Sequence, residues 1–80
     1  MMEKAEIFEE IKKAMDTAPR NGYVAEIHLQ AIKYAIELEK VPGREFCEEL
    51  DLSPAWGVEF TKMQKIAARL REAGLDPKKI

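Results

Sequence analysis

The stretch GREFCEELDLSPAWGVEFTKMQKIAARL, residues 43–70, decides the fold. Its first eight residues put Phe46, Cys47 and Leu50 at i, i+1 and i+4, with Arg44, Glu45, Glu48 and Glu49 on the opposite side, the pattern of a short amphipathic helix. Asp51-Leu52-Ser53-Pro54 then interrupts the pattern. Ser53 suits an N-cap and Pro54 the first helical position, because a hydroxyl oxygen accepts from a free helical N–H and proline lacks a donor that a helix start leaves unused anyway. Downstream, Trp56, Phe60, Met63, Ile66, Ala67, Leu70 and Ala73 recur at helical spacing on one predicted inner face. Gly74 followed by Leu75 is the glycine-then-apolar ending of a Schellman stop. Two helices joined by so short a turn form the framework of a helix-turn-helix.

Upstream, the chain predicts two more helices that such a pair needs to pack on. Over 3–16, Ile7, Phe8, Ile11, Ala14 and Met15 form a narrow apolar stripe, and Glu9 stands four residues before Lys13 as a favourable pair. Thr17-Ala-Pro-Arg-Asn-Gly22 breaks that helix, since proline restricts its predecessor and Asn-Gly accepts positive φ. Over 23–40, Glu26, Gln30, Lys33, Glu37 and Lys40 line one polar strip. Val24, Ile27, Ala31, Ile32, Tyr34, Ala35, Ile36 and Leu38 cover most of the rest, which makes this helix the central one. Val41-Pro42-Gly43 ends it. The predicted class is therefore all-α, with four helices over 3–16, 23–40, 43–50 and 54–73. We expect one domain over 1–80: an accessory helix 3–16, a helix-turn-helix core 23–74, and a short basic tail 75–80.

Composition bounds the function. Hydrophobic residues make up 46% and charged residues 35% of the 80, which is a foldable globular balance rather than a disordered one. No apolar run reaches the roughly 20 residues that span a bilayer, and the acidic N-terminal residues do not resemble a signal peptide, so the expected location is cytoplasmic, with no membrane partner. The formal net charge of −2 conceals an asymmetry: residues 1–52 hold seven Lys/Arg against twelve Asp/Glu, while residues 53–80 hold six against three. The positive portion coincides with the last helix.

Few side chains suggest catalysis. Cys47 is the only cysteine and His28 the only histidine, so neither an intrachain disulfide nor a His/Cys metal cluster is within reach of this chain. His28 sits in the apolar arc of its helix, where a packing or capping role fits best. A nucleophilic Cys47 would need a base and an electropositive setting, and its neighbours are Phe46 and Glu48. No Ser/His/Asp arrangement or phosphate-binding loop is present, and no cofactor or small-molecule substrate is indicated, so a non-enzymatic protein is expected.

The one-sided basic stripe is Lys62, Lys65 and Arg69, spaced three and four apart on the last helix. On a recognition helix such a stripe would contact phosphates, with Thr61 and Gln64 as the residues able to reach bases or backbone. An ordinary solvated face presents the same pattern. Glu59 would repel phosphate, and its place near the apolar arc predicts a partner, either backbone or His28.

Ala25-Glu-Ile-His-Leu-Gln-Ala-Ile-Lys-Tyr-Ala35 and Trp56-Gly-Val-Glu-Phe-Thr-Lys-Met63 resemble a family of short bacterial helix-turn-helix-like proteins of unassigned activity, over roughly residues 23–70. The resemblance implies the fold and no catalytic residues. Against the wider set of repressor-type helix-turn-helices, Asp51 occupies the usual turn glycine and Gly57 a usual apolar position. The expected function is binding of double-stranded DNA, as a transcriptional regulator and as a homodimer, since operators usually match a two-fold axis. The alternative is a protein-protein interaction module that keeps the fold without binding DNA.

Overall fold

The computed structural model describes residues 2–80. Four helices, α1 (Lys4–Thr17), α2 (Tyr23–Lys33), α3 (Gly43–Leu50) and α4 (Trp56–Glu72), alternate with turns, and there is no strand among the described residues. The 3-10 turns Arg20–Gly22 and Pro77–Lys79 precede α2 and follow α4. Among the described residues no helix is long and apolar enough to cross a membrane.

The core forms where the predicted apolar faces meet. Ile7, Phe8, Ile11 and Met15 of α1 are buried, as the stripe predicts. They pack with Ile27 and Ala31 of α2, Phe46 and Leu50 of α3, and Phe60 of α4. Phe46 is the hub: its ring stacks on Phe60 at 4.3 Å and meets Phe8 obliquely at 6.4 Å. Aromatic pairs at these separations add to the area that they bury. On the surface of α1 the expected Glu9–Lys13 pair is replaced by Lys13–Glu10 and Lys12–Glu9, each three residues apart. Both spacings bring exposed side chains within reach, and such pairs are individually weak.

α2 is shorter than its periodicity predicts. It ends at Lys33, and Tyr34 leaves the helix with φ −102° and ψ 20°. The chain then runs to Val41 through turns, with Ala35 N–H on Ile32 O, Glu39 N–H on Ile36 O and Val41 N–H on Leu38 O, all i to i−3. Tyr34, Ala35 and Leu38 are nevertheless buried as expected. Turns bonded three back and helices bonded four back both bring residues three and four apart onto one side, so hydrophobic spacing does not separate them. Gln30, placed on the polar strip by its sequence, is buried and donates to Glu26 Oε2 at 2.6 Å.

The turn between α3 and α4 is built on Asp51. Its φ of +55° and ψ of +44° place it in the left-handed region, in the position that a glycine usually takes. Leu52 N–H bonds Cys47 O at 2.9 Å and Asp51 N–H bonds Glu48 O at 3.3 Å, which is a Schellman closure of α3. Ser53 and Pro54 do not cap as expected. α4 begins at Trp56 with no side-chain cap bond. Ser53 and Pro54 instead supply carbonyls to Trp56 N–H and Gly57 N–H, each at 3.0 Å and three residues on. A tight 3-10 turn thus feeds the helix, and backbone acceptors occupy the donors that a serine hydroxyl would have taken.

At its other end α4 stops as predicted. Gly74 has φ +109°, Leu75 N–H bonds Leu70 O at 2.9 Å and Gly74 N–H bonds Arg71 O at 3.0 Å. The inner face is narrower than expected: Phe60 and Ala67 are buried and Trp56 and Met63 pack against the core, but Ile66, Leu70 and Ala73 are exposed. At 17 residues, α4 is longer than the 11 of α2 and the 8 of α3, so its last turns have less to lie on. The segment after Gly74 is no free tail. Asp76 accepts from Lys78 N–H at 3.0 Å, and Pro77–Lys79 folds back onto α2.

Candidate nucleic-acid interface

α4 displays Lys62, Lys65 and Arg69 to solvent. At about 100° per residue these three fall within an arc of about 60°, away from the buried Phe60 and Ala67. Lys65 and Arg69 form no ion pair among the described residues, and Lys62 pairs only with Glu59 of the same helix, at 3.2 Å. The stripe therefore faces water rather than the acidic body of the molecule. Val58 on α4 and Ser53, Pro54 and Ala55 in the turn before it are also exposed, which leaves the start of α4 accessible.

The two candidates for base or backbone contact part company. Thr61 is exposed, and its hydroxyl donates to Gly57 O at 3.1 Å, so a ligand is offered the oxygen lone pairs. Gln64 is not on this face. It lies about 100° around the helix from Lys65, beside Ala35, Ile36, Glu39 and Arg71. Its Nε2 is buried there without a hydrogen-bond partner, as is one guanidinium nitrogen of Arg71. A single residue of sequence spacing turns a side chain through more than a right angle on a helix, so Gln64 points toward the turns that follow α2 while Lys65, which borders the same hollow, stands at the edge of the stripe.

A second feature joins α2 to α4. His28 Nδ1 stands 2.9 Å from Val24 O, one turn back, and its Nε2 stands 3.0 Å from Glu59 Oε1. A neutral ring donates to one of these acceptors, and a protonated ring to both. The imidazole also packs against the Trp56 indole, with centroids 5.0 Å apart. Glu59 is thus partnered on both oxygens, Oε1 by His28 and Oε2 by Lys62. The His28 hydrogen bond, followed by that of Lys62, holds the Glu59 carboxyl below its ordinary range. The pairing of Glu59 with His28 is one of the two expected from sequence. The Trp56 contact is not readable there, because the offset between α2 and α4 sets it.

The remaining chemistry is sparse. Cys47 is buried, and burial followed by the charge of Glu48 pushes its thiol above the usual range, which disfavours the reactive thiolate. Among the described residues no three His, Cys, Asp or Glu side chains converge as metal ligands. The acids of α3 remain on the surface, where Arg44 lies 3.8 Å from Glu48 and Lys4 reaches across from α1 to Glu45 at 2.6 Å.

No curated protein and no solved structure matches the chain. One family profile, described as an HTH-like domain, matches residues 3–73, which takes in all four helices and the turn at Asp51. With that span of sequence and a helix pair joined by a short capped turn, the chain belongs to the HTH-like domain family.

Proposed function

We propose that this chain binds double-stranded DNA, as a transcriptional regulator, with α4 in the major groove and Lys62, Lys65 and Arg69 against the phosphates. The observation that carries the reading is the stripe itself: three cations on one exposed arc of α4, two of them without an ion pair among the described residues. Cations so displayed release counterions from DNA when they meet phosphates, and this term supplies most sequence-independent affinity. Thr61 lies beside the stripe and is the residue best placed to reach a base edge or the backbone. Two copies about a two-fold axis would present two such helices, and measurement of mass against concentration tests for that homodimer.

The test is binding to random duplex DNA across a salt series. Lys65→Ala and Arg69→Ala should each lower the slope of log affinity against log salt by about one. Undetectable affinity at low salt, or slopes indifferent to both substitutions, would sink the reading.

A second reading, a module that binds protein through the same helix, is favoured by one observation. Val58, with 61% of its surface exposed, precedes the exposed Ile66 and Leu70 on α4. A partner on that side would protect these apolar residues and leave Lys65 and Arg69 dispensable.

A further inference from the structure

Glu59 is anchored in a way that surface acids usually are not. An exposed Glu three residues before a Lys normally swings free, and such a pair adds little. Here one oxygen is held by a ring from another helix. His28 has only 25% of its side chain exposed, has Nδ1 2.9 Å from Val24 O, and is packed on Trp56. Its Nε2 holds Oε1 at 3.0 Å, which leaves Oε2 turned to Lys62 at 3.2 Å. The Lys62 ammonium remains accessible, with 60% of its side chain exposed.

From this geometry we infer that Glu59 is an internal competitor for the phosphate at Lys62, held in that role by His28 as a positioning residue. The inference rests on the DNA reading above. A phosphate oxygen and the Glu59 carboxylate offer Lys62 the same chemistry, an anionic oxygen at hydrogen-bond distance. DNA approaching the stripe meets Lys65 and Arg69 unopposed, and at Lys62 it must displace a carboxylate that the His28 contact keeps in place. Glu59 therefore keeps affinity for random sequence low: on random duplex it holds Lys62 out of the counterion count of the wild-type chain, and Lys62 joins the other two cations on phosphate only where a fitting site displaces the carboxylate. On random duplex, Lys65 and Arg69 alone set the salt slope.

The experiment uses the full chain, random duplex DNA and a salt series, with wild type, Glu59→Gln, Lys62→Ala and the double variant. Glutamine keeps the shape and an oxygen for His28, so the substitution leaves the packing in place. Glu59→Gln should tighten binding about fivefold at low salt and steepen the slope by about one, the share of one additional neutralised phosphate. Adding Lys62→Ala should abolish that gain. In His28→Ala the carboxylate loses its anchor, so part of the gain should appear, whereas Glu59→Gln added to it should reach the Glu59→Gln value and no further.

If wild type binds with a salt-dependent slope and Glu59→Gln changes neither affinity nor slope, the inference falls and the DNA reading stands. If the gain persists in the double variant, Glu59 acts by general repulsion and the competition at Lys62 is wrong. Absence of binding by wild type at the lowest salt overturns the DNA reading and this inference with it, whatever Glu59→Gln does.

Discussion

Gly43 and Gly57 meet backbone to backbone where α3 and α4 begin, so closely that a Cβ built on Gly43 would stand 3.0 Å from both the Cα and the carbonyl oxygen of Gly57. The relationship is asymmetric. A Cβ on Gly57 would find Gly43 atoms only at 3.6 to 3.8 Å, which is ordinary contact. Gly43→Ala should therefore push the two helix starts apart and destabilise the fold by about 1–2 kcal/mol, the range of modest overpacking. Gly57→Ala should be neutral or stabilising by up to about 1 kcal/mol, through the better helix propensity of alanine. Urea unfolding of the two variants beside wild type checks the pair. Equal effects would show that the helices are free to adjust at this crossing.

Asp51 closes α3 in a left-handed conformation, which puts an acidic residue at the helix C-terminus. Both features are unfavourable: a side chain at φ +55° carries a steric penalty that glycine escapes, and the negative end of the helix dipole repels an acid. Asp51→Gly should raise stability by about 1 kcal/mol, and thus the melting temperature by about 4–8 °C for a domain of this size. Asp51→Val should lower it by a similar amount, because a β-branched residue tolerates this backbone poorly. A thermal melt that orders the three as Gly, Asp, Val is the expected outcome.

The legible parts of this fold are those where one local signal fixes one local event. Gly74-Leu75 predicts the end of α4, and Phe46, Cys47 and Leu50 predict the buried face of α3, because caps and apolar spacing act within a turn or two. The end of α2 at Lys33 was hidden, since no Gly or Pro interrupts residues 34–40 and the tighter turns there bury the same side chains. Gly57 reads as a departure from the usual apolar core position until Gly43 is placed opposite it, and that contact is tertiary. The same holds at the candidate interface. Lys62, Lys65 and Arg69 are legible as a stripe, but Gln64 is a base-contact candidate by residue type, and residue type does not tell that its Nε2 is buried beside Arg71.

The pH dependence of stability should carry a contribution from Glu59. His28 and Lys62 hold its carboxyl below the ordinary value of 4.5, so on acidification the unfolded chain takes up the proton first. Stability from this group is fully present above about pH 4.5 and is lost as pH falls through the depressed folded value. Urea midpoints between neutral pH and strong acid should fall more steeply for wild type than for Glu59→Gln, which has no proton to take up at that position. Parallel curves would mean that the two hydrogen bonds do not persist in solution.

Cys47 offers a probe of how firmly α3 is held. Only 4% of the residue is exposed, and burial together with the neighbouring Glu48 raises its thiol, so the native protein should present almost no thiolate to a reagent. Modification by a thiol-reactive disulfide at mildly alkaline pH should then be slow and limited by opening of the helix, because the attacking species must be both exposed and deprotonated. In denaturing urea the same cysteine should react at the rate of a free thiol. Gly43→Ala, which loosens the crossing beside α3, should speed the native reaction, while Gly57→Ala should leave it near the wild-type rate. Fast labelling of the native wild type would show that α3 opens on its own, and the Phe8, Phe46 and Phe60 cluster would then not be the firm centre that its spacing describes.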